Sequence, residues 1–296
     1  MKITLVTPSY NQGKFIEETI ESVISQEGDF ELEYIIMDGD STDDTIEVIK
    51  KYDKLIKSKK FKSKCKKLTF KWFSEKDRGQ SHAINKGFKI AKGDIINWLN
   101  SDDLLEHRTL QTISDFFKKN PLAEVVYGDG LKINETGKII GVFKGANFTR
   151  SDLIRRWNRA YQTFFIPQPS TFVKISILKK YGYLNEKLHL GMDYDWYLRI
   201  NKKNKFNYIN KILSRNRYHL SCKSVRLEKE AWKVSMNLSK KYWNENYIFY
   251  EFSYYINLPL IFLYRLSALL KNNSKTYTKI VGLIKNSKSY KLIIKN

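Results

Sequence analysis

Residues 3–26, ITLVTPSYNQGKFIEETIESVISQ, decide the fold of the chain. The segment opens with 3–6, a short run rich in β-branched side chains, and Pro8 and Gly13 follow closely. This pattern predicts a buried strand that ends in a turn. Residues 14–26 then place apolar side chains at helical spacing with glutamates between them, which predicts an amphipathic helix. The stretch is therefore one strand–loop–helix unit.

The same alternation continues to residue 103. Further strands are predicted at 33–37, 68–74 and 95–99, and further helices at 80–91 and in a segment that opens at Ser41 or Thr42. Strands that alternate with helices predict an α/β protein with a Rossmann-like, mostly parallel sheet flanked by helices. Ligands bind such a sheet outside the carboxyl ends of its strands, where the loops meet.

Polar side chains follow three of these predicted strands. Tyr10 and Asn11 follow the first, Asp38-Gly39-Asp40 the second, and Asp102-Asp103 the fourth. Carboxylates at a sheet edge suit a hard divalent cation that also binds substrate phosphates. The alternative for Asp102 and Asp103 is that they cap a helix that begins at Leu104.

Several enzyme classes lack their signatures here. The first loop, TPSYNQGK, is neither GxGxxG nor GxxxxGK[ST], which argues against dinucleotide oxidoreductases and P-loop enzymes. The sequence contains no GxSxG, which argues against a Ser-His-Asp hydrolase. The two cysteines, Cys65 and Cys222, form no CxxC pair and no recognisable His–Cys cluster. We therefore predict no zinc or redox site at either cysteine, and a reducing compartment.

Charge is distributed unevenly along the 296 residues. The chain carries 53 Lys plus Arg against 31 Asp plus Glu, a net charge of +22. Residues 1–199 hold 33 basic and 27 acidic side chains, a balance of +6, whereas 200–296 hold 20 and 4, a balance of +16. A polybasic region attracts either nucleic acid or an anionic membrane surface, so the basic end of the chain is expected to meet one of these partners.

Four segments give the sequence a specific resemblance. In chain order they read TPSYNQGKFIEETIESVISQ, IIMDGDSTDDT, EKDRGQSHAINKGFKIAKGDIINWLNSDD and PQPSTFVKISILKKYGYLNEKLHLGMDYDWYLRI. Together they resemble the family 2 glycosyltransferases of the GT-A fold, in particular bacterial enzymes that build O-antigen, capsule and related surface polysaccharides. The resemblance implies a GT-A nucleotide-sugar transferase fold over residues 1 to about 225.

A donor site at the sheet edge follows from this resemblance. Tyr10 would lie against the nucleotide base, Asp38 would bind the imide of a uracil, and Arg78 would approach the phosphates. The implied donor is a nucleotide sugar, with UDP preferred by analogy. The implied donor-binding residues are Pro8, Tyr10, Asp38, Arg78 and Asp102.

The resemblance also implies a metal site. Asp102 and Asp103 correspond to the DxD-type motif that holds Mn²⁺ or Mg²⁺, where the more familiar form is LDSDD and Asn100 here replaces the leading aspartate. His219, in YHLSCKS, matches a histidine that lies near the metal or the diphosphate in relatives, and it is a possible further ligand. Because an isolated histidine is often structural, both roles stay open for His219.

Asp193 is the implied general base. The family's EDxDLWLR stretch matches Met192–Arg199, and its catalytic aspartate falls on Asp193, which implies a single displacement with inversion at the anomeric carbon. Asp195 is the competing candidate, because on a helix the two side chains would diverge by about 200° and only one would face the acceptor. The structural role open to Asp195 is that of a helix N-terminal carboxylate or a partner for Arg199 four residues later.

We predict two regions from these patterns: a transferase domain at 1–225, with a nucleotide-binding half at about 1–105 and an acceptor half at about 106–225, and a basic helical extension at 226–296. Within the extension, 252–270 is apolar with one charge, and lysines follow it. A re-entrant or interfacial segment is predicted rather than a membrane span, with the basic residues lying on anionic lipid. The opposing prediction is an ordinary helical pair packed on the core.

The N-terminus lacks the apolar run of a signal peptide, so the catalytic part is expected in the cytoplasm, peripheral to the inner face of the membrane. The expected acceptor is a lipid-linked saccharide, and no nucleic acid is expected as a partner. Two readings from other classes remain: a basic nucleic-acid-binding protein, and a non-catalytic sugar-binding scaffold on the same fold. Arg156-Trp157 lacks the glutamine of the processive synthases and precedes Asp193, so transfer of a single sugar is predicted.

Overall fold

A computed structural model describes residues 1–58, 60–155, 164–220 and 222–243. The strands in these residues are β1 (Lys2–Ser9), β2 (Gly28–Asp38), β3 (Cys65–Ser74), β4 (Ile95–Trp98), β5 (Leu104–Leu105), β6 (Val125–Asn134), β7 (Ile139–Phe143), β8 (Thr171–Lys174) and β9 (Phe206–Tyr218). The helices are α1 (Ile16–Ile24), α2 (Thr45–Lys57), α3 (Gln80–Ile90), α4 (Thr109–Lys119), α5 (Arg150–Arg155), α6 (Ser176–Tyr181), α7 (Met192–Ile200), α8 (Lys223–Arg226) and α9 (Glu228–Tyr242).

The strands form one sheet in the order β3-β2-β1-β4-β8-β6-β9-β5, with β7 added beside β6. Its first half, β3-β2-β1-β4, is parallel throughout. In the second half β8 runs antiparallel to both of its neighbours, β4 and β6, and β6 runs parallel to β9. Strand β5 pairs antiparallel with β9, and β7 pairs antiparallel with β6. The parallel sheet predicted for the first 100 residues is therefore confirmed, and the later strands make the whole sheet mixed.

Buried helix faces cover the parallel half. In α1 the side chains of Ile16, Ile20 and Val23 are buried, while Glu17 and Glu18 mark the outer face. This is the 3.6-residue pattern of an amphipathic helix. The core that α1 shares with β1 and β2 contains the fully buried aromatic side chains of Phe30 and Tyr34. Strand β1 is buried along nearly its whole length, as expected for the centre of a parallel sheet.

The first four predicted strands and the three predicted helices all form, with ends that shift by a few residues. Helix α2, for example, begins at Thr45 rather than at Ser41 or Thr42. The predicted helix at Leu104 is wrong. Leu104–Leu105 form strand β5 on β9, and α4 begins only at Thr109. Asp102 and Asp103 therefore do not cap a helix at that point.

The chain divides into two units, of which the first comprises Met1–Leu153 and Thr163–Leu238 and contains every strand of the sheet described above. The predicted domain boundary at about residue 225 stays a prediction, as do its two halves. The predicted apolar segment 252–270 and the lysines after it lie outside the described residues. None of the helices within the described ranges is both long enough and apolar enough to cross a bilayer.

Candidate active site

The ends of the first three parallel strands lie level with one another. Ser9 pairs with Asp38 across β1 and β2, and Asp38 pairs with Ser74 across β2 and β3. The loops that leave these strands therefore start from one edge of the sheet, which is the edge where α/β proteins bind ligands. Pro8 is buried near the end of β1. The pairing of β1 with β4 ends at Val6, two positions earlier, so the missing N–H of Pro8 costs no hydrogen bond between β1 and β4.

Asp38 is buried, and its carboxylate is bound within the chain. Oδ2 accepts hydrogen bonds from the backbone N–H groups of Asp40 and Ser41, at 3.0 Å each, and from the Ser74 hydroxyl at 2.7 Å. Oδ1 accepts from the Ser41 hydroxyl at 2.5 Å. Asp38 is 1% exposed. In this geometry Asp38 shapes the loop after β2, and its contact with a uracil imide stays a prediction.

Tyr10, Gly39 and Asp77 meet at the same edge. The Tyr10 side chain is 60% exposed, as suits a surface that a planar base could cover. A Cβ placed on Gly39 would lie 2.7 Å from Asp77 Oδ2 and 3.4 Å from Tyr10 Cδ2, so the glycine lets the Asp77 carboxylate pack closely against the backbone here. Asp77 Oδ1 accepts from the Gly79 N–H at 2.6 Å, which directs the loop before α3. Sequence reasoning missed Asp77, although it directly precedes Arg78 in EKDRG.

Arg78 is exposed and pairs with Glu186. Its guanidinium Nη2 lies 2.6 Å from Glu186 Oε2, and Glu186 also accepts from the Asn85 amide at 3.0 Å. The Asn85 hydrogen bond, followed by the Arg78 hydrogen bond, lowers the pKa of Glu186 against the opposing effect of burial. Arg78 thus links the loop before α3 to the segment that leads into α7.

Asp103 is buried and engaged on both oxygens. Oδ1 accepts from the Arg217 backbone N–H at 2.9 Å, and Oδ2 accepts from the Asn100 amide at 3.0 Å. Burial, and then the neighbouring charge of Asp102, raise the pKa of Asp103 well above its usual value. The structure therefore gives Asp103 contacts that join β9 to the end of β4, and it places Asp103 apart from the side chains that gather around Asp102.

Asn100 explains the departure from the more familiar LDSDD motif. Its amide donates to Asp103, and its carbonyl oxygen accepts from Gln80 Nε2 at 2.7 Å. An aspartate at this position would face the buried Asp103 carboxyl with an acceptor in place of a donor. Asparagine therefore fits this site and connects the start of α3 to the end of β4.

Asp102 meets His219 and Cys222. Asp102 Oδ2 lies 3.1 Å from His219 Nε2 and 3.7 Å from Cys222 Sγ. The ligand atoms of all three side chains lie within 4.8 Å of one another. His219 and Cys222 are each 8% exposed, and the Phe15 ring packs against the imidazole with centroids 4.7 Å apart. The sequence-based exclusion of a His–Cys cluster is wrong, because the turn at 219–222 brings the two side chains together beside a distant aspartate.

Arg217 holds this arrangement in place and was missed from the sequence. Its guanidinium donates to the backbone carbonyls of Asp102 at 2.9 Å and Glu135 at 2.8 Å, and to the Glu18 carboxylate at 2.7 Å. The residue is 3% exposed. A guanidinium supplies donors in a fixed fork, so it fixes the backbone on which Asp102 is carried. Nothing in the sequence around Arg217 distinguishes it from the other basic residues of the strand.

The donor set suits a divalent cation. Carboxylate and imidazole ligands are compatible with Mn²⁺, which accepts both oxygen and nitrogen, and are less suited to Mg²⁺, which prefers oxygen. Asp102 and His219 have side-chain exposures of 21% and 5% and converge on one point. Burial raises the pKa of the Cys222 thiol to about 12. Asp103 uses both oxygens elsewhere, so a cation here would be held by Asp102 and His219.

Asp193 and Asp195 both lie in the first turn of α7 but in different surroundings. Asp195 is 2% exposed, and its Oδ2 lies 3.0 Å from Arg199 Nε four residues later. Asp193 is half-buried, and among the described residues its carboxylate has no hydrogen-bond or ion-pair partner. Asp195 thus has the partner that its structural role predicted, and Asp193 keeps a carboxylate that is free to act on a ligand.

A short series of contacts joins α7 to the Asp102 region. The Ser81 hydroxyl lies 2.7 Å from Met192 Sδ, next to Asp193 in the chain. Gln80, the residue before Ser81, donates to Asn100, which bonds Asp103. The N-terminus of α3 therefore lies between the first turn of α7 and the end of β4, and it brings the predicted base and the predicted cation ligands to one edge of the sheet.

These features define a class of enzyme. A parallel half-sheet with acidic loops at its carboxyl edge continues into a mixed half that carries a further aspartate, and this is the arrangement of a nucleotide-sugar transferase of the GT-A type. The sequence profile of Glycosyl transferase family 2 matches residues 4–182. The chain belongs to this family and is a glycosyltransferase.

Similar proteins span the family. An uncharacterized glycosyltransferase of Methanocaldococcus jannaschii is 26% identical over 88% of this chain and 88% of its own length. Chondroitin synthase of Escherichia coli is 26% identical over 77% of this chain, which corresponds to 31% of the synthase. Poly(ribitol-phosphate) β-N-acetylglucosaminyltransferase TarP of Staphylococcus aureus is 29% identical over 52% of this chain and 44% of its own length. The chain thus spans less than half of the two relatives that have named activities.

Solved structures share the fold. TarS 1–349 of S. aureus in complex with UDP superposes with a TM-score of 0.57 at 20% identity, over 82% of this chain and 65% of that one. At this identity the likeness establishes the GT-A fold alone. The predicted fold class is therefore confirmed for the transferase region.

Proposed function

We propose that this chain moves a single sugar from a UDP-linked donor to a saccharide acceptor during the synthesis of a polysaccharide, with inversion at the anomeric carbon. The observation that carries the proposal is that the Asp193 carboxylate has no partner in the part of the chain that the structure describes, on the sheet edge that also holds Asp102 and His219. An unpaired carboxylate that is partly buried lowers the stability of the fold, so its presence indicates a role towards a ligand. A general base in an enzyme is such a group, placed within hydrogen-bond reach of the proton that it takes.

The donor would lie along the ends of the parallel strands. The exposed Tyr10 ring offers a face for a planar base, and Asp77, which packs against Gly39, offers an acceptor beside it. Arg78, once turned from Glu186, would reach a phosphate, since the pair is exposed and its exchange costs little. Support for UDP comes from TarS, whose structures include complexes with UDP and UDP-GlcNAc.

Transfer would occur as a single displacement. The acceptor hydroxyl oxygen bonds to the anomeric carbon while the bond from that carbon to the diphosphate oxygen breaks, and Asp193 takes the hydroxyl proton. Asp102 and His219 would hold Mn²⁺, or less readily Mg²⁺, whose charge stabilises the departing diphosphate. Arg217 keeps Asp102 in place for this purpose through the Asp102 carbonyl. A base opposite the leaving group gives inversion.

The proposed acceptor is a growing saccharide carried on a lipid, in O-antigen or related cell-envelope synthesis. The relatives named as chondroitin synthase and as a poly(ribitol-phosphate) β-N-acetylglucosaminyltransferase support a polymer product. The balance of +16 over residues 200–296 supports attraction to an anionic lipid surface, and hence peripheral binding at the inner face of the cytoplasmic membrane.

The test combines donor screening with a paired substitution. A panel of nucleotide sugars is assayed by thermal shift and by nucleotide release, with and without Mn²⁺, and the donor that binds is used with Asp193→Asn and with wild type. The substitution is expected to lower turnover by ~10²–10⁴-fold and to leave the Kd for the donor within about threefold. Full turnover by Asp193→Asn would overturn the assignment of the base. Binding of DNA in place of any nucleotide sugar would overturn the function, and donor binding without turnover in wild type would indicate a sugar-binding scaffold.

A further inference from the structure

Cys222 has no task in the proposed reaction, yet it lies among the cation ligands. Its Sγ is 3.7 Å from Asp102 Oδ2, while Asp102 Oδ2 is 3.1 Å from His219 Nε2. The sulfur, nitrogen and oxygen atoms all lie within 4.8 Å of one another. The chain contains one other cysteine, Cys65, which lies at the start of β3 and contacts the Ser63 hydroxyl at 3.1 Å.

Two of the three spacings in this cluster are close to those around a single tetrahedral cation. Bonds of ~2.3 Å to sulfur and ~2.0–2.2 Å to nitrogen or oxygen, at tetrahedral angles, place two ligand atoms roughly 3.4–3.7 Å apart. The distances from Asp102 to the two other ligands fall close to this range without rearrangement of the backbone. Three protein ligands with a fourth position left for water or substrate are the usual composition of a reactive metal site.

The surroundings fix the three ligands in place. The His219 backbone N–H donates to Cys222 Sγ at 3.4 Å, and the Cys222 backbone N–H donates to the His219 carbonyl at 3.0 Å, so the two residues close one tight turn. The thiol donates to the Arg217 carbonyl at 3.3 Å, and the Arg217 guanidinium holds the Asp102 carbonyl. Contacts outside the ligand shell orient ligands and raise metal affinity. The cluster is therefore organised before any cation arrives.

We propose that Cys222 makes this cation site thiophilic, so that Zn²⁺, Cd²⁺ and Co²⁺ bind through Asp102, His219 and Cys222 and compete with the Mn²⁺ or Mg²⁺ of sugar transfer. A thiolate selects soft and borderline metals, whereas oxygen ligands alone select hard ones. On binding, the S–H bond breaks, a sulfur–metal bond forms and the proton passes to solvent, with no change in oxidation state. The competition rests on the proposed function, but the binding itself does not.

Absorption spectroscopy with Co²⁺ tests the binding. The full-length protein, kept reduced with a phosphine rather than a thiol, is titrated with Co²⁺ and read for the sulfur-to-cobalt charge-transfer band in the near ultraviolet. Wild type and Cys65→Ser are expected to show the band at one equivalent, and Cys222→Ser is expected to lack it. Absence of the band from wild type, or its loss in Cys65→Ser and retention in Cys222→Ser, would overturn the proposal.

Zinc affinity provides a second readout. Competition against a chromophoric chelator is expected to show a Kd for Zn²⁺ at least about 100-fold weaker in Cys222→Ser, since even partners outside the ligand shell change affinity by ~10–100-fold. Circular dichroism and melting of Cys222→Ser and Cys222→Ala confirm that each variant is folded. Equal zinc affinity in wild type and both variants would overturn the proposal.

The two proposals fail separately. If no nucleotide sugar is turned over, the proposed function falls, while the Co²⁺ band still reports whether Cys222 is a ligand. If transfer occurs with Mn²⁺, Zn²⁺ is expected to inhibit it, and the zinc concentration that halves turnover should rise in Cys222→Ser. Inhibition that is unchanged by Cys222→Ser would contradict the competition.

Discussion

Two pairs of aspartates lie on the same edge of this sheet, and they divide their tasks in the same way. At the end of β4, Asp103 is buried and bonded on both oxygens, while its neighbour Asp102 faces His219 and Cys222. In α7, Asp195 is buried against Arg199, while Asp193 has no partner among the described residues. In each pair one member is bonded into the fold, and the other is the residue that we propose to act on a ligand. Adjacent carboxylates therefore need separate tests, and burial is what distinguishes them.

The largest expected effect is on catalysis by Asp193. Asp193→Asn keeps the size of the side chain and removes the proposed base, so kcat is expected to fall by ~10²–10⁴-fold, the usual contribution of a positioned base. The melting temperature should stay close to that of wild type, because none of the described residues bonds to this carboxylate. Steady-state kinetics with the identified donor and acceptor measure the change.

Asp195→Asn serves as the control for that substitution. Asp195 lies two residues after Asp193 in the same turn of α7. The asparagine retains an oxygen that Arg199 can bond, so this variant should keep most of kcat. If Asp195→Asn loses turnover while Asp193→Asn keeps it, the two roles are exchanged and the comparison drawn from burial is wrong.

The next effect concerns stability rather than rate. Asp195→Ala removes the partner of Arg199, and the free energy of unfolding is expected to fall by about 2 kcal/mol. Loss of one member of a buried ion pair usually costs more, but Arg199 is partly exposed and still bonds the carbonyls of Tyr181 and Tyr183. Urea denaturation measures the change, with Asp193→Ala as the matched variant in the same turn. A larger loss in Asp193→Ala would show that Asp193, too, supports the helix.

A smaller effect is expected from restoring the more familiar motif. Asn100→Asp replaces the donor to Asp103 with an acceptor and adds a negative charge beside a buried carboxyl. We expect a loss of about 1–2 kcal/mol in the free energy of unfolding, because a satisfied hydrogen bond becomes a repulsive contact. Differential scanning calorimetry measures it.

Asn134→Asp is the control for this change of charge. Asn134 Oδ1 accepts from the N–H groups of Thr136 and Lys138, and an aspartate can accept the same bonds. Stability should therefore be nearly unchanged in that variant. A gain in stability for Asn100→Asp would mean that Asp103 is poised to donate, and that the site tolerates three carboxyl groups.

Much of this edge could be predicted from the sequence, because local patterns encode it. The β-branched run in β1, the helical period of α1 and the polar residues after each strand predicted both the sheet and the edge that binds ligands. The resemblance of residues 192–199 to the family motif selected Asp193, and the i+4 spacing named Arg199 as the partner of Asp195. These features depend on residues that are close in the chain.

The rest depends on contacts between residues far apart. Cys222 reaches Asp102 because strand β5, which directly follows Asp103, pairs with β9. The two side chains are 120 positions apart, and no local pattern in the sequence predicts that pairing. The sequence does not distinguish Arg217 from the other basic residues, because its role depends on contacts that only the structure shows. The helix expected at Leu104 does not form, because residues 104–105 pair as a strand with β9. Pairing with a distant strand outweighs a local helix-capping signal.

The smallest expected effect is at the ion pair between Arg78, in the loop before α3, and Glu186, in the segment that leads into α7. Glu186 bonds Asn85 and Arg78 in the folded chain, and these bonds lower its pKa, the Asn85 bond most of all. A carboxyl with a lowered folded pKa contributes stability above its unfolded pKa of about 4.3, and loses that contribution as pH falls through the folded value. Glu186→Gln should therefore be less stable than wild type at pH 7, by under about 1 kcal/mol because the pair is exposed, and equally stable at acid pH. Urea denaturation across pH measures the difference, and Glu31→Gln, at an exposed position, should show no such convergence. If the difference in the free energy of unfolding between Glu186→Gln and wild type is as large in acid as at pH 7, the Glu186 side chain acts through packing rather than charge. In that case the ion pair with Glu186 does not fix the position of Arg78.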